Sequence, residues 1–406
     1  MTSATVVTGM GVIAPTGLGS KAHWANTLRG AGAIDRITRF DPEQYPSKLA
    51  GEAPDFVPRQ HLPGRLIPQT DHMTRMSLVA ANWALEDAEV QTGDVDEFGM
   101  GVVTASSAGG FEFGHRELHK LWSQGPEHVS AYQSFAWFYA VNTGQISIRH
   151  GMRGPSGVLV TDQAGGLDAV AQARRQLRKG LSLSVTGGVD GSNCPWGWVA
   201  QLAGGRISTA DDPARAYLPF SAGARGHVPG EGGALFVLES EDAARARGIT
   251  SWYGAIAGYA ATFDPPPGSG RPPGLRRAIA LAMADAGIEA ADVDVVFADG
   301  AGSPELDRIE ASALRAVFGP HGVPVTVPKT MTGRLGAGGA ALDLATAMLT
   351  MRDGVIPPTV NVPAPMPDYE IDLVTRCRTT AVSTALVLAR GHGGFNAAMV
   401  VTRERS

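Results

Sequence analysis

A faint internal duplication constrains this chain more than any other feature, because a repeated helix-and-strand unit has to be packed against its own copy. Residues 73–88 place Met76, Val79, Ala80, Trp83 and Leu85 in a helical pattern, followed by Asp94-Val95-Asp96 and the apolar run 100–105. Later, residues 275–286 read as a helix with Gly287 as its left-handed stop, followed by Asp292-Val293-Asp294 and Val295-Val296-Phe297-Ala298-Asp299-Gly300. Each half then supplies a helix opening on Leu-Asp, one from Leu167-Asp168 to Lys179-Gly180 and one from Leu342-Asp343 to Asp353-Gly354. Residues 182–186 read as the strand after the first of these, and the apolar strands 233–239 and 384–389 are expected to close the two halves. Helices alternating with buried strands define an α/β fold. The expected division is an N-terminal half over 1–255 and a C-terminal half over 256–406, with the Pro/Gly loop 265–273 near the start of the second.

Composition narrows the function classes. Hydrophobic residues make up 44% and charged residues 18%, enough apolar material for a continuous core and too little charge for disorder. Glycine, 52 of 406, has no collagen period, and it reads as tight turns and close backbone approach. Cys194 and Cys377 cannot build a disulfide framework and lack metal-ligand spacing, so a reducing, cytoplasmic setting is expected and no metal. A net charge of −5 argues against nucleic acid. Residues 1–7 lack a basic leader segment, and no stretch approaches the roughly 18 apolar residues of a membrane span.

Two motifs are weak. Gly9-Met10-Gly11-Val12-Ile13-Ala14 matches a dinucleotide fingerprint, but Pro15, Gly17 and Gly19 deny it the helix that would hold a pyrophosphate. Ala105-Ser106-Ser107-Ala108-Gly109 resembles a nucleophile elbow with alanine where the motif wants glycine, leaving a serine hydrolase acting through Ser107 as an alternative. A third segment is more informative. Residues 157–169 read as a buried strand, a tight turn and a helix start, the geometry that presents a nucleophile at a helix N-terminus. The residue at that turn is Gln163, whose amide has donors and an acceptor but no useful nucleophilicity.

These segments, together with Val7-Thr8-Gly9-Met10-Gly11, Gly230-Glu231-Gly232-Gly233, Lys329-Thr330-Met331-Thr332-Gly333 and Gly393-Gly394-Phe395-Asn396-Ala397, resemble the β-ketoacyl synthase family nearly end to end. The resemblance implies a thiolase-like fold, a duplicated αβαβα five-layer architecture. In that family the elbow holds a cysteine, where this chain has Gln163. One catalytic histidine belongs to Ala-His-Gly-Thr-Gly-Thr, here Ala298-Asp299-Gly300-Ala301-Gly302-Ser303, and the other to Lys-Ser-x-x-Gly-His, here Lys329-Thr330-Met331-Thr332-Gly333-Arg334. The Phe-Gly-Phe-Gly-Gly gate reads Arg390-Gly391-His392-Gly393-Gly394, so both its phenylalanines are absent, and His392 is expected to take a surface or hydrogen-bonded role. This combination, with Gln163-Ala164-Gly165-Gly166-Leu167-Asp168 and residues 134–144, is similar to the chain-length factors, the ketosynthase-β subunits of type II aromatic polyketide synthases.

That resemblance implies a subunit that does not condense, paired with an active ketosynthase-α, served by an acyl carrier protein and limiting poly-β-ketone length through a tunnel at the interface. No cofactor is implied, the substrates being carried on the carrier's phosphopantetheine. Asp299, Lys329 and Arg334 would be relict active-site positions. If Asp299 and Arg334 meet they form a buried ion pair; otherwise each serves an unrelated polar contact. For Gln163, a malonyl-decarboxylating role that supplies the acetyl starter stands beside a purely hydrogen-bonding one. Phe111, Gly114 and Leu118, spaced i, i+3, i+7, would line one helix face and the tunnel floor, and a glycine at 114 suggests a deep tunnel or, alternatively, close backbone packing. Tyr132, Phe135, Trp137 and Phe138 are interface candidates.

Overall fold

The structure, a computed structural model, describes residues 3–266 and 268–403, so Met1, Thr2, Pro267 of the Pro/Gly loop and residues 404–406 lie outside the described residues. The N-terminal sheet is built from β1 (Thr5–Ala14), β2 (Met100–Ala105), β3 (Ser156–Leu159), β4 (Leu183–Asp190) and β5 (Gly232–Ser240), in the order β3-β2-β4-β5-β1. The C-terminal sheet uses β6 (Ala255–Phe263), β7 (Val295–Phe297), β8 (Pro324–Thr326), β9 (Thr384–Arg390) and β10 (Phe395–Thr402), in the order β8-β7-β9-β10-β6. In each sheet four strands run in one direction and one, β5 or β10, runs against them at the equivalent place. The two sheets are joined through a single pair, Val6 with Ala255.

Helices complete five layers. The outer layer on the N-terminal sheet holds α1 (His72–Asp87) and, beside it, α3 (Val141–His150). The middle layer holds α4 (Gly165–Leu177) and α8 (Ala337–Asp353), packed on each other between the sheets. The far outer layer holds α6 (Leu275–Ala286) and α7 (Pro304–Phe318). Three hydrophobic cores fill the spaces, the central one running from Val7 and Phe236 through Leu167 and Met348 to Val387. The N-terminal half also carries two insertions. One, between β2 and β3, contains α2 (Phe111–Gln124) and the short helical turn Gln133–Ala136; the other, between β4 and β5, contains α5 (Pro195–Ala203).

Three sequence expectations need correction. The second Leu-Asp helix begins at Ala337, not Leu342. It is buried on every side through Met351, so it lacks the polar face that marks a helix start, and its Gly-Gly pair serves close packing. A Cβ at Gly338 would stand 1.9 Å from the Gly232 carbonyl oxygen, and one at Gly233 2.7 Å from Gly338 Cα. Second, residues 384–390 do not close the C-terminal half. They match β4, and the closing place belongs to β10, entered through the tight turn around Gly393 and Gly394, both at positive φ. Third, the strand ahead of Gln163 is not buried: among the described residues β3 pairs only with β2 and has its other edge open, and it is partly exposed along its length. The equivalent β8 has its outer edge covered by Asp372–Leu373. Gly9 and Gly11, which matched the dinucleotide pattern, lie inside β1, where a Cβ would strike the α1 backbone at 2.3 and 1.9 Å from the Ala84 and Ala80 oxygens.

Replacing Gly338 with alanine should therefore cost about 1–3 kcal/mol or more, as overpacking does. Gly93→Ala, where nothing lies within 4 Å, should stay within about 0.5 kcal/mol. Chemical denaturation of the two variants beside the parent checks both.

Candidate functional site

The heads of α4 and α8 converge on a cavity of about 660 Å³. Its wall is shared by both halves: Ser107, Asp190, Arg206 and His227 from the first, Asp299, Arg334 and the 390–395 turn from the second, with Gln163 between them. Gln163 sits in the single turn Asp162–Ala164 that leads into α4. In the amide orientation that satisfies both of its ends, its nitrogen donates to the Gly336 carbonyl at 3.1 Å and its oxygen accepts from the Gly336 N–H at 3.2 Å. Gly336 is the residue that caps α8, with φ 54°. The side chain thus staples the two central helices, leaving one N–H for anything else. That arrangement fits the hydrogen-bonding reading of Gln163 better than the decarboxylating one, which needs a free amide aimed at a carbonyl.

Asp299 and Arg334 meet. The guanidinium spans the carboxylate, Nη1 to Oδ2 at 3.0 Å and Nη2 to Oδ1 at 2.9 Å, with both residues at most 6% exposed. Nη1 also donates to the Asp299 carbonyl and Nη2 to the Arg390 carbonyl, while the Arg390 N–H donates to Asp299 Oδ1 at 2.9 Å. Burial alone would raise the Asp299 carboxyl, but the Arg334 charge overrides it and holds it below the usual carboxylate range. Lys329 is tied separately, its Nζ lying 2.6 Å from both Asp343 Oδ2 on α8 and the Ala298 carbonyl.

The loop carrying Asp299 is clamped from behind by two carboxylates on α7. Glu310 accepts the Asp299 and Gly300 N–H groups at 2.7 and 2.9 Å; Asp307 accepts those of Gly302 and Phe220 at 3.0 and 2.9 Å. Burial pushes both up to about 7, the Asp299 charge adding to the effect at Glu310 and the Glu310 charge at Asp307. His227 is pushed down to about 3, by burial first and by Arg334 second, so at neutral pH it is an uncharged imidazole in the wall. None of these three drew notice in the sequence; Asp307 and Glu310 stand three apart just after the loop, a spacing that could have marked them.

The remaining candidates divide. Ser107 has no hydrogen bond to a histidine among the described residues; its N–H donates to Asp190 Oδ2 at 2.6 Å, so no hydrolytic triad forms around it. His392 is exposed at the rim, its N–H donating to Asp162. Phe111, Gly114 and Leu118 do lie on one helix, α2, but not on the cavity wall. The space expected at Gly114 is taken by a residue the sequence reading passed over. Trp196 of α5 packs on Phe111 with ring centroids 4.6 Å apart and planes tilted by 39°, and a Cβ at Gly114 would stand 3.1 Å from its ring. Of the interface candidates, Tyr132, Trp137 and Phe138 are exposed, whereas Phe135 packs on the N-terminal core. Tyr139, Trp196 and Val199 extend the exposed apolar surface. Among the described residues no helix is long and apolar enough to cross a membrane.

Comparison with known proteins places this geometry. The family model for the β-ketoacyl synthase N-terminal domain matches residues 2–244 and that for the C-terminal domain matches residues 253–363. The chain belongs to the β-ketoacyl synthase family. It is 62% identical over 98% of its length to the tetracenomycin polyketide synthase ketoacyl synthase beta subunit of Streptomyces glaucescens, 98% of which is covered. Among solved structures, the ishigamide ketosynthase/chain length factor superposes with TM-score 0.90 at 26% identity, covering all of both chains. A type II polyketide synthase acyl-carrier protein in complex with its ketosynthase bound to the hexaketide superposes with TM-score 0.88 at 25% identity, again over all of both chains. The layered architecture is thus the thiolase-like fold of the ketosynthases.

Truncating Asp299 or Arg334 to alanine should each cost about 3–5 kcal/mol, because the partner charge is left buried and unpaired. The double variant should cost clearly less than the sum; additive stabilities in denaturant titrations would mean no coupling. Glu310 gives a pH signature. Its folded value of about 7 lies above the 4.5 of an unperturbed carboxyl, so between those values the folded state keeps a proton the unfolded chain has lost. Its contribution to stability therefore falls as pH rises through that window, while Asp299, held low, titrates beneath it. Melting temperatures at pH 5 and pH 8 should differ less favourably for the acid side in Glu310→Gln than in the parent.

Proposed function

We propose that this chain is the non-condensing β subunit of a minimal type II polyketide synthase, pairing with an active ketosynthase-α and setting poly-β-ketone length through a tunnel between the two. The observation that carries the reading is what stands in the cavity. A decarboxylative Claisen condensation needs a thiolate to hold the acyl chain and neutral donors for the developing enolate oxygen. Here Gln163 cannot be acylated, the Asp299 carboxylate is taken up by Arg334 and has no proton to donate to an enolate, and Arg334 cannot shuttle a proton. The 62% identical relative is named a ketoacyl synthase beta subunit, which supports the same assignment.

The surface supports a partner. The open edge of β3 lies in the same half as the exposed Tyr132, Trp137, Phe138, Tyr139 and Trp196, and such an edge with large aromatics is costly to leave in water. The acyl carrier protein delivers the malonyl units as phosphopantetheine thioesters, no resident cofactor is required, and the heterodimer works in the cytoplasm.

Co-expression with the adjacent ketosynthase, followed by native mass measurement and product analysis, tests this. A one-to-one complex that makes a defined polyketide is expected, with no condensation by the isolated chain; condensation by the isolated chain would overturn the reading. Gln163→Cys should remain inactive, because the ion pair still fills the place of both histidines. Gly114→Phe must displace Trp196 and should shorten the product by at least one two-carbon unit.

A further inference from the structure

The helix that carries Phe111, Gly114 and Leu118 is poorly held by its own sequence. Its N-cap is Gly110, which offers no side-chain acceptor to the exposed N–H groups of the first turn. One of those groups is satisfied from far away: the Phe113 N–H donates to Asp71 Oδ2 at 2.7 Å. The other oxygen of the same carboxylate, Oδ1, accepts from Met73 N at 2.9 Å, so Asp71 is also the N-cap of α1. Asp71 is only 2% exposed. A single buried carboxylate thus caps two helices from separate segments.

The two helices differ in how firmly they are fixed. Met73, Met76, Val79 and Ala80 of α1 are fully buried in the N-terminal core, and α1 lies directly on β1. In α2 only Phe113, Gly114 and Glu117 are buried, the rest of the helix facing outward or half covered. Asp71 transfers the position of the fixed helix to the first turn of the loose one. A second tie holds the middle of α2, where buried Glu117 accepts from Ser130 N at 2.8 Å and pairs with Lys120, joining the helix to the segment that leads into the turn Gln133–Ala136. Ahead of both, at the N-cap, the Gly110 N–H donates to the Trp137 carbonyl.

We infer that Asp71 is a positioning residue for chain-length selection: by capping α1 and α2 together it sets the height of Phe111 and Gly114 against Trp196, and with it the depth at which the growing chain stops. This rests on the proposed function, since it needs α2 to form part of the tunnel. Its chemistry is distinct from that of the lining residues, because Asp71 touches no substrate and acts only through the α2 backbone.

Asp71→Ser separates the two roles. A serine hydroxyl at this position still caps α1, where serine is among the best N-caps, but is too short to serve the Phe113 N–H as well. Asp71→Ala removes both bonds, and Gly114→Phe probes the tunnel itself. All three are made in the heterodimer with its ketosynthase, with polyketide lengths resolved by mass spectrometry and complex formation checked by native mass. The expected result is that Asp71→Ser keeps the complex and total turnover within about twofold while the fraction of off-length product rises at least fivefold. A merely structural role would lower yield without changing the length distribution, and that result would overturn the inference. If Gly114→Phe changes length and Asp71→Ser does not, the positioning role fails and the tunnel stands; if neither changes length, both fail. Should Asp71→Ala fail to assemble, the serine variant alone decides.

Discussion

The central layer is arranged around two helices packed on each other, of which α8 touches the N-terminal sheet through backbone. Between α4 and α8 and the strands around them, side chains have been removed wherever the chains cross: a Cβ at Gly166 would stand 2.7 Å from the Ala337 oxygen, and one at Gly188 2.4 Å from the same atom. Burial of α8 on all sides leaves no room for lateral adjustment, because close-packed interiors forfeit dispersion energy with even small gaps. The consequence for the site is direct. The heads of both helices must lie side by side, so a residue in the turn before α4 can hydrogen-bond the peptide that caps α8, as Gln163 does with Gly336.

Around that fixed point, the cavity is held open by paired charge. Buried ion pairs rarely add net stability over apolar packing, since desolvation offsets most of the attraction. Asp299 and Arg334 are better understood as a clamp on backbone, because between them they engage the Asp299 and Arg390 carbonyls and the Arg390 N–H, tying the turn after β7 to the end of β9. Glu310 and Asp307 hold the same turn from its other side. On the proposed function, a site without nucleophile or proton carrier thereby keeps its shape, which suits a subunit whose surface another chain must recognise.

The repeat was legible because both copies spell helix, Asp-Val-Asp, strand and glycine in the same order, and periodicity survives sequence drift. Gln163, Asp299 and Arg334 were legible as substitutions within motifs. What escaped notice lacked local signals. The start of α8 was hidden because a helix apolar all round has no amphipathic stripe, and Gly338-Gly339 reads as a break. The strand Phe395–Thr402 was absorbed into a motif at its first residues, so its partner Thr384–Arg390 was placed one position out in the repeat. Trp196 and Asp71 act on residues distant in sequence, across contacts that no spacing encodes.

Duplication gives the halves the same strand order, and their differences carry the function. The C-terminal sheet ends in Asp372–Leu373, which covers the edge of β8, and its β9 and β10 are joined by a tight turn. Among the described residues the N-terminal sheet ends in the bare edge of β3; its β4–β5 connection, a tight turn in the other copy, is expanded to carry α5, and its β2–β3 connection exceeds the α7-bearing β7–β8 connection by the segment that holds α2 and the turn Gln133–Ala136. An uncapped edge invites pairing, and exposed aromatics are the side chains that anchor interfaces. Phe111, Gly114 and Trp196, which the proposed function sets at a tunnel, belong to those same expansions and not to the repeated frame. On that proposal, length selection can vary by changes in the insertions while the frame, the glycine contacts and the clamped cavity stay as they are.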